Sequence, residues 1–140
     1  MALGATIATD LEELHRSALA DPDRVVVVAE HDGNVVGMAH LVPSGAANAS
    51  HRAEVQRVAV DTAARGTGVG RMLMEALEEV ARERGLTLLW LTTHEGSEAC
   101  AFYEAVGYQK LGVMPSYSLR PDGNLSAGAF YYKDLGAISG

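Results

Sequence analysis

Seven residues, Arg65-Gly66-Thr67-Gly68-Val69-Gly70-Arg71, stand between an apolar, β-branched run and the most regular amphipathic repeat of the chain. This stretch constrains the fold more than any other, because a glycine-rich passage from strand to helix fixes what lies on both sides. Upstream, Ala53 to Val60 reads as a strand and Asp61 to Thr67 as a connecting loop. Downstream, Val69, Met72, Leu73, Ala76, Leu77, Val80 and Ala81 recur at helical spacing, and Gly85 closes that helix. A helix start carries unpaired N–H donors and the positive end of its peptide dipoles. Bare glycines there leave a cradle for an anion such as a phosphate.

The rest of the chain supplies further elements around this unit. Thr9-Asp10, with Glu12 and Glu13 behind it, caps a first helix whose apolar stripe is Leu11, Leu14, Ala18 and Leu19. Arg24 to Glu30 is a strand, Asp32-Gly33-Asn34 a hairpin turn, and Val35 to Val42 the return strand. Thr87 to Thr93 is apolar without alternation, which predicts a central strand covered on both faces. Ser97 to Val106 forms a second amphipathic helix ending at Gly107. Tyr108 to Val113 and Ala127 to Lys133 are two last strands, joined by a long loop containing the turn Pro121-Asp122-Gly123. The sum is an α/β (α+β) protein with a mixed sheet and helices on both faces.

Length and charge narrow the function. Residues 1–140 make one domain, long enough for a core. No apolar run approaches the ~20 residues of a membrane span, and no secretory signal opens the chain. Cys100 is the single cysteine, which excludes an intramolecular disulfide and fits a reducing, cytoplasmic location. A net charge of -7 argues against nucleic acid and matches a cationic small substrate or a basic peptide better. The histidines at 15, 31, 40, 51 and 94 show no metal-ligand spacing, so no metal site is expected.

Two nucleotide-binding readings of the glycine loop fail. A phosphate-binding NTPase loop requires Lys then Ser/Thr after its last glycine, whereas Gly70 is followed by Arg71-Met72. A dinucleotide fingerprint requires Gly-x-Gly-x-x-Gly directly after the strand, and here the spacing is Gly-x-Gly-x-Gly after an intervening loop. Instead, Val58-Ala59-Val60, the loop and the helix behind it resemble the acetyl-CoA motif of the GCN5-related N-acetyltransferases (GNAT). That motif reads Arg/Gln-x-x-Gly-x-Gly/Ala and is met by Arg65, Gly68 and Gly70. Ala99-x-x-Phe102-Tyr103-x-x-x-Gly107-Tyr108 is similar to the family's second signature, in the right order. The resemblance covers Arg24 to Leu135. Arg52 to Gln56, Glu95-Gly96-Ser97, Met114 to Tyr117 and Phe130 to Lys133 are also similar to the tabtoxin-resistance type of acetyltransferase.

The resemblance implies a GNAT-type mixed, mostly antiparallel sheet and a set of roles. Backbone N–H groups of Arg65, Gly66, Thr67, Gly68, Val69, Gly70 and Arg71 would hold the pyrophosphate of acetyl-CoA. Val58, Ala59 and Val60 would lie along the pantetheine arm, on a strand that bulges and splays from Thr87 to Thr93. Tyr103 is the candidate general acid for the departing thiolate, because a phenol stays protonated at neutral pH. Glu54 is the candidate general base, with His94 its rival. Tyr117 and Asp122 fall in the loop that borders the acceptor site in this family, although loop packing and turn chemistry account for both. Cys100 reads as a small packed residue.

The N-terminal strand and first helix of the family look missing or shortened here. That predicts an acceptor cleft either more open or completed by a second chain, as in a homodimer. The function implied is acetyl transfer from acetyl-CoA to a small-molecule or amino-acid-like amine by direct attack. The alternative is an acyl-CoA-binding sensor without turnover.

Overall fold

A computed structural model of the chain describes residues 4–7, 23–64 and 66–136. Strands β1 (Gly4–Ile7), β2 (Val25–His31), β3 (Asn34–Pro43) and β4 (Arg52–Val60) follow one another as antiparallel neighbours. Helix α1 (Val69–Glu83) then crosses to β5 (Leu88–His94), which lies parallel to β4. Helix α2 (Glu98–Ala105) leads to β6 (Gln109–Leu119), and β7 (Leu125–Asp134) returns between β5 and β6. The sheet order is β1-β2-β3-β4-β5-β7-β6, mixed and mostly antiparallel as expected.

Local chemistry accounts for the elements. Four valines start β2, and a two-residue turn closes its hairpin with β3, Asp32 at φ 53° and Gly33 at φ 80°. Helix α1 buries Val69, Leu73, Leu77 and Val80, the stripe read from the sequence. Both helices stop in the same hydrogen-bond pattern at a glycine. Leu86 N–H reaches Ala81 O at 2.9 Å and Gly85 N–H reaches Arg82 O at 3.0 Å. Tyr108 N–H likewise reaches Tyr103 O at 2.9 Å, and Gly107 N–H reaches Glu104 O at 3.1 Å. Each stop turns the next side chain, Leu86 or Tyr108, into the core.

Alternate residues of the strands, Val25, Val27, Ala39 and Leu41 among them, meet Leu73, Leu77, Tyr103 and Tyr131 in one apolar core. Val26, Val28 and His40 are buried on the opposite face. Beside the core, Lys133 Nζ lies 3.0 and 2.9 Å from the two carboxylate oxygens of buried Glu78 and 2.9 Å from Val106 O. That cation joins α1, the end of α2 and β7, and it keeps a buried carboxylate paired.

Several expectations need correction. Of the two alternatives for the N-terminal strand, missing or shortened, the first falls away: a strand of four residues pairs with β2 from Gly4 opposite Glu30 to Ile7 opposite Val27. The first helix, capped at Thr9-Asp10, lies outside the described residues. Strand β5 alternates after all: Leu89 and Leu91 are buried while Leu88, Trp90 and Thr92 are half-buried, Trp90 stacking at 6.4 Å on Phe130. Met114 to Leu119 belong to β6 and not to a long loop. Pro115, Ser116 and Tyr117 there stand opposite Ala127 alone, a bulge on an edge strand where a proline needs no ladder partner. No helix among the described residues is long and apolar enough to cross a membrane.

Candidate functional site

Strands β4 and β5 pair over three residues only, Arg52 to Glu54 against Leu88 to Trp90. Beyond Glu54 no residue of β4 has a partner on β5, while β5 continues along β7 to His94. On its other side β4 carries a bulge. Met38 faces Ala59 and His40 faces Gln56, so Ala39 stands opposite both Arg57 and Val58. Arg57 takes φ 53° to make it. The bulge bends β4 away from β5, and a cleft opens on each side of the split.

The first cleft, of about 620 Å³, is lined by Val58, Val60, Gly68, Gly70, Phe102 and Tyr103, among others. Gly66 and Gly68 have φ of 81° and 87°, and a Cβ on either would meet nothing within 4 Å. Glycine is needed there for the course of the backbone, and the space above it is open. Gly68 caps α1 without any side-chain hydrogen bond. The first helical bond runs from Met72 N–H to Gly68 O at 3.0 Å. The N–H groups of Gly68, Val69, Gly70 and Arg71 open the helix, ahead of the ladder that begins with that bond. N–H groups at a helix start suit a phosphate. Ala59 lies on the exposed side of the same strand.

Not every residue of the loop contributes alike. The N–H of Thr67 is spent on Ala64 O at 3.3 Å, and its hydroxyl donates to the same oxygen. The guanidinium of Arg71 reaches Ala105 O at 3.1 Å and ties α1 to the end of α2. Arg65 lies outside the described residues. The unpaired edge of β4 beyond Glu54 offers main-chain groups at Val58 and Val60 to an extended ligand.

The second cleft, of about 600 Å³, is lined by Glu54, Arg57, His94, Tyr103 and Tyr117, with Gln56 between the first two. Gln56 Nε2 donates to Glu54 Oε1 at 2.9 Å, and Gln56 Oε1 accepts from the Arg24 guanidinium at 3.1 Å. The same guanidinium nitrogen lies 3.1 Å from Nδ1 of fully buried His40. Burial, then the charges of Arg24 and Arg57, lower the pKa of His40 from 6.5 to about 4. A neutral Nδ1 can accept from Arg24, so charge and geometry agree. His94 is exposed, with Nδ1 3.3 Å from Ser126 Oγ.

Val58 and Tyr103 line both clefts. Tyr103 is 8% exposed, and burial pushes its pKa up to about 12. The rings of Phe102 and Tyr108 meet it edge-on at 5.3 and 5.9 Å and hold its ring in place.

The structure thus brings Glu54, His94 and Tyr103 together and sets Val58, Val60, Gly68, Gly70 and Arg71 around the neighbouring cleft. Tyr117, read as loop packing, lines the second cleft from the β6 bulge, its ring 5.2 Å from Phe130 and directly over Gly128. Asp122 accepts the N–H of Asn124 at 2.9 Å and is turn chemistry, as the sequence indicated. Cys100 is half-buried, its Sγ 3.4 Å from His94 O. Gln56, Arg57 and Arg24 escaped the sequence reading. Gln56 was within reach of it, because two positions along a strand return to the same face as Glu54.

A sequence model of the acetyltransferase (GNAT) family matches residues 4–108. N-alpha-acetyltransferase RimI of Mycobacterium tuberculosis is 34% identical over 71% of this chain and 61% of its own length. The structure of ribosomal-protein-alanine N-acetyltransferase from Brucella melitensis is 32% identical, with a TM-score of 0.76 over 91% of this chain and 80% of that one. The Salmonella typhimurium protein yncA, solved with its cofactor acetyl-CoA, shares the fold with a TM-score of 0.83 at 18% identity, over 100% of this chain and 98% of that one. The chain spans 68%, 22% and 61% of the lengths of three curated relatives that it matches.

Proposed function

We propose that this chain, which belongs to the acetyltransferase (GNAT) family, is an N-acetyltransferase that uses acetyl-CoA and acts on a small-molecule or amino-acid-like amine by direct attack. One observation carries the reading. A cleft at the start of helix α1 and a cleft with a carboxylate share Val58 and Tyr103 as a common wall. Two ligands seated in them would meet at that wall.

The residues divide the work accordingly. The N–H groups of Gly68, Val69, Gly70 and Arg71 hold the pyrophosphate, and Gly66 leaves room for it. The free edge of β4 at Val58 and Val60 aligns the pantetheine, with Ala59 between them. Bound acetyl-CoA supplies the acetyl group as a thioester. Glu54 takes one proton from the amine nitrogen as that nitrogen bonds to the acetyl carbon and the carbon–sulfur bond breaks. Tyr103 gives its proton to the sulfur, and the proton on Glu54 returns to Tyr103 through solvent. Products are the N-acetylated amine and the free thiol, so atoms and charge balance. The high pKa of Tyr103 supports its part, because a neutral phenol is the form that donates.

The narrower likeness to tabtoxin-resistance-type acetyltransferases belongs to this reading, supported by the sequence segments alone. So does completion of the acceptor cleft by a second copy of the chain. Thiol release with acetyl-CoA and a panel of amines tests the whole. Release that depends on amine and on Glu54 is the expected result. Tight acetyl-CoA binding without release on any amine would point instead to a sensor that binds without turnover.

A further inference from the structure

The whole chain is acidic, at -7, yet the charged groups around the second cleft are not. Glu54 is the single carboxylate among its described lining residues, and Arg57 lines the same cleft. Arg24 stands behind them, occupied by Gln56 and His40. Arg57, by contrast, has no hydrogen bond or ion pair among the described residues, and none joins it to Glu54 three positions away. The bulge explains why they stay apart: Glu54 is held by Gln56 on the regular part of β4, whereas Arg57 sits at φ 53° in the extra residue. Its charge is nonetheless felt on this face of the sheet, since Arg57 helps to keep His40 neutral.

An anion and a cation held apart in one cleft suit a ligand bearing the opposite pair. We infer that the acceptor is an amine that also carries an anionic group, a carboxylate in the simplest case, with the amine at Glu54 and the anion on the guanidinium of Arg57. This reverses the cationic substrate suggested by net charge, because local groups and not the total decide what a cleft binds. It rests on the N-acetyltransferase reading and deepens it.

The test uses matched pairs that differ only by the carboxylate: glycine with methylamine, β-alanine with ethylamine, phenylalanine with 2-phenylethylamine. Thiol release is measured for each amine, and binding of each N-acetylated product to CoA-saturated protein is measured by calorimetry. Carboxylated members should be favoured by roughly 10- to 100-fold, the range of a charge-assisted hydrogen bond. Arg57→Gln should collapse that preference, and Arg57→Lys should keep part of it. If no carboxylated member is preferred, or if the preference survives Arg57→Gln, the inference is overturned while acetyl transfer to plain amines can still stand. An Arg57-dependent preference in product binding without any thiol release would support the anion site and defeat the enzymatic reading.

Discussion

A Cβ built on Gly70 would lie 2.8 Å from Cε1 of the Phe102 ring, closer than carbon atoms pack. The glycine loop and helix α2 are therefore fitted to each other at one point, on the wall of the first cleft. Gly70→Ala forces the ring to move, and overpacking of this kind costs about 1–3 kcal/mol. The melting temperature should fall by several degrees and acetyl-CoA should bind about tenfold more weakly. Adding Phe102→Leu should restore much of both. Unaltered acetyl-CoA affinity in Gly70→Ala would mean that this contact does not set the cleft's width.

Tyr103 is held neutral by burial, with a pKa of about 12, so its donating form is present at all ordinary pH and is lost only as pH rises through that value. Tyr103→Phe should lower kcat by about 100-fold, within the usual range for a positioned acid, with acetyl-CoA affinity changed less than about twofold. The alkaline limb of the wild-type rate profile should owe nothing to Tyr103 below about pH 11. A limb near pH 9 that disappears in Tyr103→Phe would contradict this assignment.

Gln56 orients Glu54 and is itself oriented by Arg24. Gln56→Leu should reduce kcat by about tenfold with little change in KM for acetyl-CoA, and Glu54→Gln should reduce it further. The combined variant should be no slower than Glu54→Gln, because Gln56 acts through that carboxylate. Additive losses would show that Gln56 works independently of Glu54.

His40 links stability to pH. Its pKa is about 4 in the fold against 6.5 ordinarily, so between these values the unfolded chain takes up a proton that the folded chain refuses. Stability from this residue is complete above pH 6.5, falls as pH drops toward 4, and changes no further below. The loss is at most ~3 kcal/mol, less whatever solvent screening removes. Urea unfolding between pH 4 and 7 should show it, and His40→Asn should flatten the slope. A level wild-type curve would refute it.

The parts legible in the sequence were those written in neighbouring residues. The start of α1 at Val69, its stripe and the stops at Gly85 and Gly107 follow from spacing alone. The β6 bulge was not legible. Pro115 and Ser116 carry loop chemistry, and only the pairing of Met114 and Ser118 with β7 on either side keeps them within a strand. The alternation of β5 was hidden because Leu88 and Trp90 are apolar on the half-buried side as well. Arg24, His40 and Gln56 come from three places along the chain, and no local pattern announces that they meet. The left-handed turn at Arg57 has no glycine to mark it. Pair contacts and bulges are products of the folded sheet, which is why the first cleft was clearer in the sequence than the second.

Val58 and Tyr103 belong to the walls of both clefts. On the proposed reading the space beside them is common property, and each carbon added to the acyl chain would remove room from the incoming nucleophile. Preference for a two-carbon group then needs no dedicated gate. Bulky nucleophiles would tolerate only the shortest thioesters, and compact ones would tolerate propionyl or butyryl groups. Donor and acceptor selectivity become a single steric quantity divided between two ligands.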